Sequence, residues 1–233
     1  KPRTRALEDT VKVLMRLTAV LFDLDGTLLD SLEDIFICVN YALSQQGLPR
    51  RTKDEVRSFL GNGYRYLIAH AVSPHTNSLK TEQVLDSFRA YYQLHCQDVT
   101  KPYDGISEML DTLRDNGYKM AIVSNKDDEA VKQLAARFFS PWINIAVGES
   151  KEVRRKPNPD AVLQAIKQLG SKVEDSIYVG DSEVDIATAK NAGIPCIACL
   201  WGFRDEPFLL ENGATQLIKT PRELLSAVQK PEW

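Results

Sequence analysis

The stretch VLFDLDGTLLDS, residues 20–31, decides the fold of this chain. It continues an apolar run from Leu17 to Leu24, which is typical of a buried β-strand. Asp23 and Asp25 end the run, and a Gly-Thr turn follows them. Residues two apart in a strand point to the same side, so the two carboxylates should converge where the strand leaves the sheet. Because open parallel sheets bind ligands at that edge, we interpret the pair as a candidate site for a metal and for phosphoryl chemistry.

The bulk composition argues against several classes of protein. The chain has 233 residues, enough for one large domain or two small ones, and its net charge of -3 comes from charges spread along the sequence. A nucleic-acid footprint would need a concentrated basic face, and no apolar run reaches the roughly 18 residues of a transmembrane span. Four cysteines in a chain of this size do not suggest a disulfide framework. We therefore expect a cytoplasmic protein that binds neither nucleic acid nor a membrane.

Strand and helix patterns alternate along most of the chain. The predicted strands are 17–24, 119–123, 143–147, 176–179, 195–199 and 216–218. The helices predicted between and after them include 129–138, 183–193 and 222–229, and a further helix that opens with Asn158 as N-cap and Pro159 at its first position. Repeated strand–helix units imply a parallel sheet with helices on both faces. The predicted fold class is therefore α/β, with a doubly wound, Rossmann-like sheet.

One long segment interrupts this alternation. Between Asp30 and Lys101 no convincing strand pattern appears, and a structureless loop of that length is improbable in a compact domain. Helices are predicted here after Ser31 as N-cap and at 53–60, 64–72 and 81–97. We therefore predict a Rossmann-like core formed by residues 15–30 and 104–233, an inserted small helical cap domain at 31–103, and an N-terminal extension at 1–14.

Polar side chains stand at the ends of successive predicted strands. They are Asp23 and Asp25 after the first strand, Ser124 and Asn125 after the second, Lys156 before a helix, and Asp181 after the fourth strand, with Asp185 four residues on. In a doubly wound sheet these ends lie along one edge. Carboxylates suit Mg²⁺, one carboxylate can attack phosphorus, and a neighbouring carboxyl group can transfer the proton. A hydroxyl, backbone N–H groups and a lysine can neutralise the phosphoryl oxygens.

This set resembles the motifs of the haloacid dehalogenase-like hydrolase superfamily. Residues 23–27 (DLDGT) match its first motif, Ser124-Asn125 its second, Lys156 its third and residues 180–185 (GDSEVD) its fourth. The helical insert looks like the mobile cap of that superfamily. Within it, the chain is most similar to phosphoglycolate phosphatases, in residues 60–64 (LGNGY), 156–160 (KPNPD), 191–193 (NAG) and 200–204 (LWGFR).

The resemblance implies a role for each of these residues. Asp23 would be the nucleophile and Asp25 the general acid and base. Mg²⁺ would be held by Asp23, the backbone carbonyl of Asp25, Asp181 and, directly or through water, Asp185. The phosphate would be held by Ser124, Lys156, Asn125 and the turn at Gly26 and Thr27. Arg65, beside the glycine-bearing loop of the cap domain, could pair with a substrate carboxylate or could be an ordinary solvated helix residue.

We therefore predict a Mg²⁺-dependent phosphatase that hydrolyses a small phosphomonoester, phosphoglycolate first, through an aspartyl-phosphate. The alternatives within the superfamily are a β-phosphoglucomutase-like sugar-phosphate mutase, a pyrophosphatase and a nucleotidase. The glycine before Asp181 and the second aspartate at Asp185 favour a phosphatase over the mutase. A phosphorylatable signalling module is an alternative of another class, but receiver domains are shorter and have no reason to carry a cap. The expected partner is a small phosphorylated metabolite, and the expected assembly is a monomer or a dimer.

Overall fold

A six-stranded parallel sheet forms the core of the protein, whose computed structural model describes residues 17–229. In chain order the strands are β1 (Ala19–Phe22), β2 (Leu29–Asp30), β3 (Lys101–Pro102), β4 (Lys119–Asp127), β5 (Ile145–Glu149), β6 (Ser176–Gly180), β7 (Cys196–Cys199) and β8 (Gln216–Ile218). The sheet has the order β5-β4-β1-β6-β7-β8, and every neighbouring pair in it is parallel. The order places β1 at the centre of the sheet.

Helices separate these strands along the chain. They are α1 (Leu32–Gln45), α2 (Lys53–Ser58), α3 (Gly63–Ala71), α4 (Ser78–His95), α5 (Ile106–Asp115), α6 (Asp128–Phe138), α7 (Asp160–Gln168), α8 (Glu183–Ala192), α9 (Glu206–Glu211) and α10 (Leu224–Gln229). The first four follow one another without a strand between them, and the others alternate with the strands of the sheet. This arrangement confirms the predicted fold class, a doubly wound α/β sheet with an inserted group of helices. We use the name cap domain for residues 31–103, whose boundaries stay a prediction.

Alternate residues of β1 enter two different hydrophobic clusters. Val20 and Phe22 pack in the cluster that contains Leu110 of α5 and Leu134 of α6. Leu21, which points to the other face, packs in the cluster formed with α7 and α8. Because helices cover both faces, every residue of this strand is apolar and fully buried, and the sequence shows no polar alternation.

The chain leaves for the cap domain and returns from it through a short antiparallel ribbon. In this ribbon Leu29 of β2 is paired with Pro102 of β3. The buried Asp34 carboxylate, in the first turn of α1, accepts hydrogen bonds from the N–H of Thr100 at 2.8 Å and from its hydroxyl at 2.6 Å. The outgoing and returning segments are therefore tied to each other. Two-residue strands give no period-2 pattern, so the sequence did not reveal the ribbon.

Two helix starts differ from their predicted form. Asn158 does not cap α7, because the helix begins at Asp160 with Pro159 in the N-cap position, and the Asn158 amide closes a turn onto the Arg155 carbonyl at 3.3 Å. Ser31 does occupy the N-cap position of α1, but its side chain makes no capping hydrogen bond. Both side chains make other hydrogen bonds instead of capping a helix. A local sequence pattern does not show which of the two partners a side chain will take.

Other predictions concern the ends and the surface of the chain. The N-terminal extension predicted at 1–14 lies outside the described residues. Helix α9 was not predicted; its start is capped by the Asp205 carboxylate, which accepts from the N–H of Phe208 at 3.0 Å. Within residues 17–229, no helix combines the length and the apolar character needed to cross a bilayer.

We predict that Phe22→Ala lowers the free energy of unfolding by about 3–5 kcal/mol, because the substitution leaves a cavity at the centre of the sheet. The Phe22 side chain is fully buried in β1. Leu94→Ala on α4 is the control, since Leu94 is 78% exposed and its loss should change stability by no more than about 0.5 kcal/mol. Urea denaturation followed by circular dichroism measures both values. Equal losses in the two variants would contradict the assigned burial.

Candidate active site

Three neighbouring strands bring most of the predicted polar residues to one edge of the sheet. Asp23 directly follows β1, and Asp181 directly follows β6. Ser124 and Asn125 belong to β4, which is longer than predicted and continues to Asp127 with a shift in its register. Because β4, β1 and β6 are adjacent and parallel, their carboxyl ends face the same edge.

A cluster of three buried carboxylates lies at this edge. Oxygen atoms of Asp23, Asp181 and Asp185 all lie within 4.8 Å of one another. Their exposed fractions are 7%, 1% and 0%, so water screens their mutual repulsion very little. The sequence predicted these three as metal ligands. The Asp25 carboxylate is not part of the cluster, and only its backbone carbonyl was expected to bind metal.

Lys156 places a buried ammonium group between two of these carboxylates. Its Nζ lies 2.9 Å from Oδ1 of Asp23 and 2.7 Å from Oδ1 of Asp185. It also donates a hydrogen bond to the Tyr178 hydroxyl at 3.0 Å. Burial lowers the pKa of Lys156, but Asp185 and Asp23 outweigh that effect and hold the pKa well above its usual value. The lysine therefore stays charged and partly compensates the cluster.

One lysine does not neutralise three carboxylates. Burial, followed by the charge of Asp185, raises the pKa of Asp23 to about 7 although Lys156 opposes the shift. Burial and Asp185 likewise raise the pKa of Asp181 well above its ordinary value. The raised pKa values of Asp23 and Asp181 show that the buried carboxylates are incompletely compensated by the positive charge around them. A divalent cation would relieve this imbalance, and a purely oxygen donor set is the kind that suits a hard cation such as Mg²⁺.

The hydrogen bonds of the cluster show which carboxylate oxygens already have a partner. Oδ2 of Asp23 accepts no hydrogen bond from the described residues, whereas its Oδ1 accepts from the N–H of Leu24 at 2.7 Å. Asp185 is fully engaged, because Oδ1 contacts Lys156 and Oδ2 accepts from the hydroxyl of Ser182 at 2.6 Å in a capping box of α8. Both oxygens of Asp181 are engaged as well, because Oδ1 accepts from the Thr27 hydroxyl and Oδ2 accepts from the N–H of Phe203. Oδ2 of Asp23 is therefore the one oxygen of the cluster without a hydrogen bond from the described residues.

Gly26 and Thr27 contact Asp181 rather than open space. Gly26 has a φ of +85°, and a Cβ at this position would lie 2.4 Å from Oδ2 of Asp181. Its N–H donates to the Leu29 carbonyl at 2.9 Å, so it is not free to bind phosphate as predicted. The Thr27 hydroxyl donates to Oδ1 of Asp181 at 3.0 Å. The turn therefore positions a carboxylate of the cluster.

Asp25 is held by two groups at the entrance to the cap domain. Its Oδ1 accepts from the Ser31 hydroxyl at 2.5 Å and lies 3.0 Å from Nζ of Lys126. This contact explains why Ser31 does not cap α1 with its side chain. Lys126 also donates to the hydroxyl of Tyr92 on α4 and lies over that ring, 4.5 Å from its centre. The Asp25 carboxylate thus has a fixed orientation and a cationic neighbour.

Asn125 connects the core to the cap domain. Its Oδ1 accepts from the N–H of Lys156 at 2.6 Å, and its Nδ2 donates to the carbonyls of Lys156 at 3.0 Å and of Gly61 at 2.9 Å. Ser124 is buried beside it, and its hydroxyl accepts from the N–H of Lys126 at 3.3 Å. The side chain of Asn125 therefore fixes the segment that carries the site lysine.

Arg65, the predicted partner of a substrate carboxylate, points elsewhere. Its guanidinium pairs with Glu82 of the cap domain, and its side chain is 60% exposed. It does not line the cavity at the carboxylates. Its proposed contact with substrate is therefore not made in this arrangement.

A small, partly open cavity lies beside Asp23 and Asp25. Its volume is about 40 Å³, which corresponds to roughly three water-sized positions. The core supplies the polar side chains Asp23, Asp25, Ser124, Asn125 and Lys126, together with Phe203. The cap domain supplies the side chains of Ile35, Leu60, Tyr64 and Leu67. Sequence reasoning missed Lys126 and left Tyr64 unassigned. The only signal for Lys126 is its position directly after Ser124-Asn125.

The comparison with known proteins agrees with this geometry. A model of the family described as haloacid dehalogenase-like hydrolase matches residues 20–199. The chain belongs to this family. The match includes the cap domain and the motifs that supply Asp23, Ser124, Lys156 and Asp181. The predicted family is therefore confirmed, although the role of each residue stays a proposal.

Relatives of this hydrolase are phosphatases with different names. A phosphoglycolate phosphatase of Xanthomonas campestris is 34% identical over 218 residues, which cover 92% of this chain and 97% of that protein. An N-acetylmuramic acid 6-phosphate phosphatase of Pseudomonas aeruginosa is 33% identical over 221 residues, which cover 93% and 96%. A crystal structure from Lactobacillus delbrueckii, provisionally named a phosphoglycolate phosphatase, superposes with a TM-score of 0.87 at 35% identity and covers 91% of this chain and 98% of that one. The predicted enzyme class, phosphoric monoester hydrolase, is confirmed.

We predict that Gly26→Ala destabilises the protein more than Gly47→Ala does. Both glycines have positive φ, +85° and +65°, but a Cβ at Gly47 meets nothing within 4 Å. Gly47→Ala should therefore lower the free energy of unfolding by only about 1–2 kcal/mol, the cost of a left-handed backbone conformation for alanine. Gly26→Ala should lower it further, because the added Cβ also displaces Asp181. Urea denaturation measures stability, and isothermal titration with MgCl₂ measures metal binding. Weakened metal binding is expected in Gly26→Ala alone, and unchanged binding there would contradict the role given to this turn.

Proposed function

We propose that this hydrolase removes phosphate from a small phosphomonoester, phosphoglycolate foremost, in a Mg²⁺-dependent reaction that passes through a phosphorylated Asp23. One observation carries the proposal. Two differently held carboxylates face one small cavity: Asp23 keeps an oxygen free of hydrogen bonds, and Asp25 is oriented by Ser31 and Lys126. The first arrangement suits a nucleophile, and the second suits a group that transfers a proton.

In the first step, Oδ2 of Asp23 attacks phosphorus and the bond to the leaving oxygen breaks. Asp25 gives its proton to that oxygen, so the product leaves as an alcohol. In the second step, Asp25 takes a proton from water, which attacks phosphorus and releases phosphate from Asp23. Ser31 and Lys126 keep the Asp25 carboxyl group aimed at the cavity during both steps.

The same residues would hold the metal and the phosphoryl group. Asp23, the Asp25 backbone carbonyl and Asp181 are the proposed metal ligands, with Asp185 binding directly or through water. A bound Mg²⁺ would neutralise charge on the phosphoryl oxygens. Lys156, 2.9 Å from Asp23, and the Ser124 hydroxyl are the proposed protein groups that stabilise these oxygens.

The lining of the cavity supports a small anionic substrate. It combines polar residues of the core around Asp23 and Asp25 with the ammonium group of Lys126. The phosphatase of Xanthomonas campestris that resembles this chain is named for a two-carbon substrate, and the similarly related phosphatase of Pseudomonas aeruginosa is named for a much larger sugar phosphate. We place phosphoglycolate first because several relatives of similar identity are named for it.

We predict that acetyl [³²P]phosphate labels Asp25→Asn but not Asp23→Asn. Acetate leaves without being protonated, so the first step does not need Asp25, whereas release of phosphate needs it as a base. Asp25→Asn should accumulate about one label per chain after acid quenching, and Asp23→Asn none. The unmutated chain should release phosphate over many turnovers. Stoichiometric labelling of the unmutated chain without turnover would instead indicate a signalling module, and labelling of Asp23→Asn would overturn the assigned nucleophile.

We predict that Mg²⁺ raises the thermal stability of the metal-free protein as well as its activity. A cation that binds only the folded state at 100 times its dissociation constant adds about 2.7 kcal/mol to stability. Asp181→Asn should lose most of this increase, because it removes a carboxylate charge from the cluster. Asp160→Asn is the matched control, since this half-buried carboxylate lies outside the cluster and pairs with Arg154, so the variant should keep the full increase. Differential scanning calorimetry with EDTA and then MgCl₂ measures the effect, and equal shifts in both variants would exclude the cluster as the metal site.

A further inference from the structure

The hydroxyl of Tyr64, a residue that lines the cavity, is buried without a hydrogen-bond partner among the described residues. Tyr64 lies in the first turn of α3 and is 7% exposed, and its hydroxyl oxygen has no partner among the described residues. The ring cannot turn freely, because Phe88 and Tyr92 contact it edge-on with centroid distances of 5.0 Å and 5.7 Å. A buried donor that makes no hydrogen bond is costly, so a ligand atom placed there would recover that cost.

The Tyr64 hydroxyl keeps its proton. Burial, followed by the charge of Asp25, raises its pKa well above the ordinary value for tyrosine. A neutral hydroxyl can donate one hydrogen bond. What it needs is an oxygen acceptor, and the apolar cap side chains beside it, Leu60 and Leu67, offer none.

Lys126 supplies a second donor in the same cavity, and it is charged. Its side chain is 1% exposed, and its Nζ contacts Oδ1 of Asp25 and the Tyr92 hydroxyl. An ammonium group has three N–H donors, so one remains unassigned among the described residues. Lys126 is also the one basic residue among those that line the cavity.

The position of Lys126 points to the leaving group rather than to the phosphoryl group. The proposed phosphoryl-binding lysine, Lys156, contacts Asp23, the proposed nucleophile. Lys126 contacts Asp25 instead, at 3.0 Å, and Asp25 is the group proposed to protonate the leaving oxygen. A donor beside Asp25 therefore faces the part of the substrate that departs.

We propose that the Tyr64 hydroxyl and the Lys126 ammonium group form a subsite that binds the carboxylate of a short phosphorylated hydroxy acid. A carboxylate has two acceptor oxygens and one negative charge, so it matches one neutral donor and one cationic donor. The apolar side chains around it exclude water, which strengthens both contacts. This inference rests on the proposed phosphatase function. It assigns recognition of the substrate carboxylate to Tyr64 and Lys126 instead of Arg65.

The test compares 2-phosphoglycolate with ethyl phosphate, which has the same chain length and a methyl group in place of the carboxylate. The unmutated protein should prefer 2-phosphoglycolate in kcat/KM. In Tyr64→Phe and in Lys126→Met the ratio of the two kcat/KM values should fall about 10- to 100-fold, as expected when a hydrogen bond to a charged group is lost. A substitution that only disturbed the structure would lower both values together.

Matched controls change the same residue types outside the cavity lining. Tyr66→Phe alters a tyrosine two positions along α3 that stacks on His70, and Lys132→Met alters an exposed lysine on α6 that pairs with Asp128. Both controls should keep the ratio of the unmutated protein. An unchanged ratio in both Tyr64→Phe and Lys126→Met would overturn the subsite, and it would indicate that these side chains serve the phosphoryl group or the packing alone.

A second measurement needs no variant. In the unmutated protein, 3-phosphonopropionate should inhibit at a lower concentration than propylphosphonate, which lacks the carboxylate but has the same length. Equal inhibition constants would overturn the subsite even if a variant failed to fold. If 2-phosphoglycolate and ethyl phosphate were hydrolysed equally well, the subsite would fail and the phosphatase function would stand. If Mg²⁺-loaded protein hydrolysed no phosphomonoester, both would fail.

Discussion

The contact of Lys156 with Asp23 and Asp185 is the interaction on which the rest of the site depends. Buried carboxylates are costly unless they are paired, and here three lie within 4.8 Å of one another. Lys156 contacts two of them at 2.9 Å and 2.7 Å, and Asn125 fixes its backbone. The carboxylates come from β1, from the end of β6 and from α8, and the lysine from the segment before α7. The parallel order of the sheet is therefore what makes this compensation possible.

The remaining charge of the cluster determines the chemistry. Burial, together with negative charge that Lys156 offsets only in part, raises the pKa of Asp23 and of Asp181, which makes the cluster a candidate cation site. Asp25 lies outside the cluster and has its own partners, Ser31 and Lys126. Two aspartates that are two residues apart in sequence thus occupy different electrostatic surroundings. This separation is what the proposed division of roles requires, with metal binding and nucleophilic attack at Asp23 and proton transfer at Asp25.

The sequence predicted the core of this site because its residues stand at strand ends. A buried apolar run followed by Asp23 is a local signal, and the parallel sheet then brings Ser124 and Asp181 to the same edge. The contributions of the cap domain were not predictable in this way. Lys126 is one polar residue in the run Lys126-Asp127-Asp128, and only the packing of Tyr92 from α4 shows that it is buried.

The same limit explains the residues whose assigned contacts differ in the structure. The position of Arg65 beside the glycine-bearing loop predicts a contact with substrate. The side chain of a helical residue can point in several directions, however, and the Arg65 guanidinium pairs with Glu82. Gly26 was assigned to phosphate, whereas the close approach of Asp181 is what requires a glycine there. Tyr64 has no neighbour in sequence that indicates burial of its hydroxyl. Contacts between distant elements determine all three positions, and no periodicity encodes them.

The loop after β7 joins the carboxylate cluster to the cap domain. The N–H of Phe203 donates to Oδ2 of Asp181 at 2.7 Å, and the carbonyl of the same residue accepts from Nε of Arg57 on α2 at 2.9 Å. In the opposite direction, Arg204 donates to the carbonyl of Leu60 at 2.8 Å. A movement of the cap domain away from the core must break these charged hydrogen bonds, which are stronger than neutral ones. Because Phe203 makes hydrogen bonds on both sides, the contact of the cap domain with the core and the orientation of Asp181 depend on the same segment.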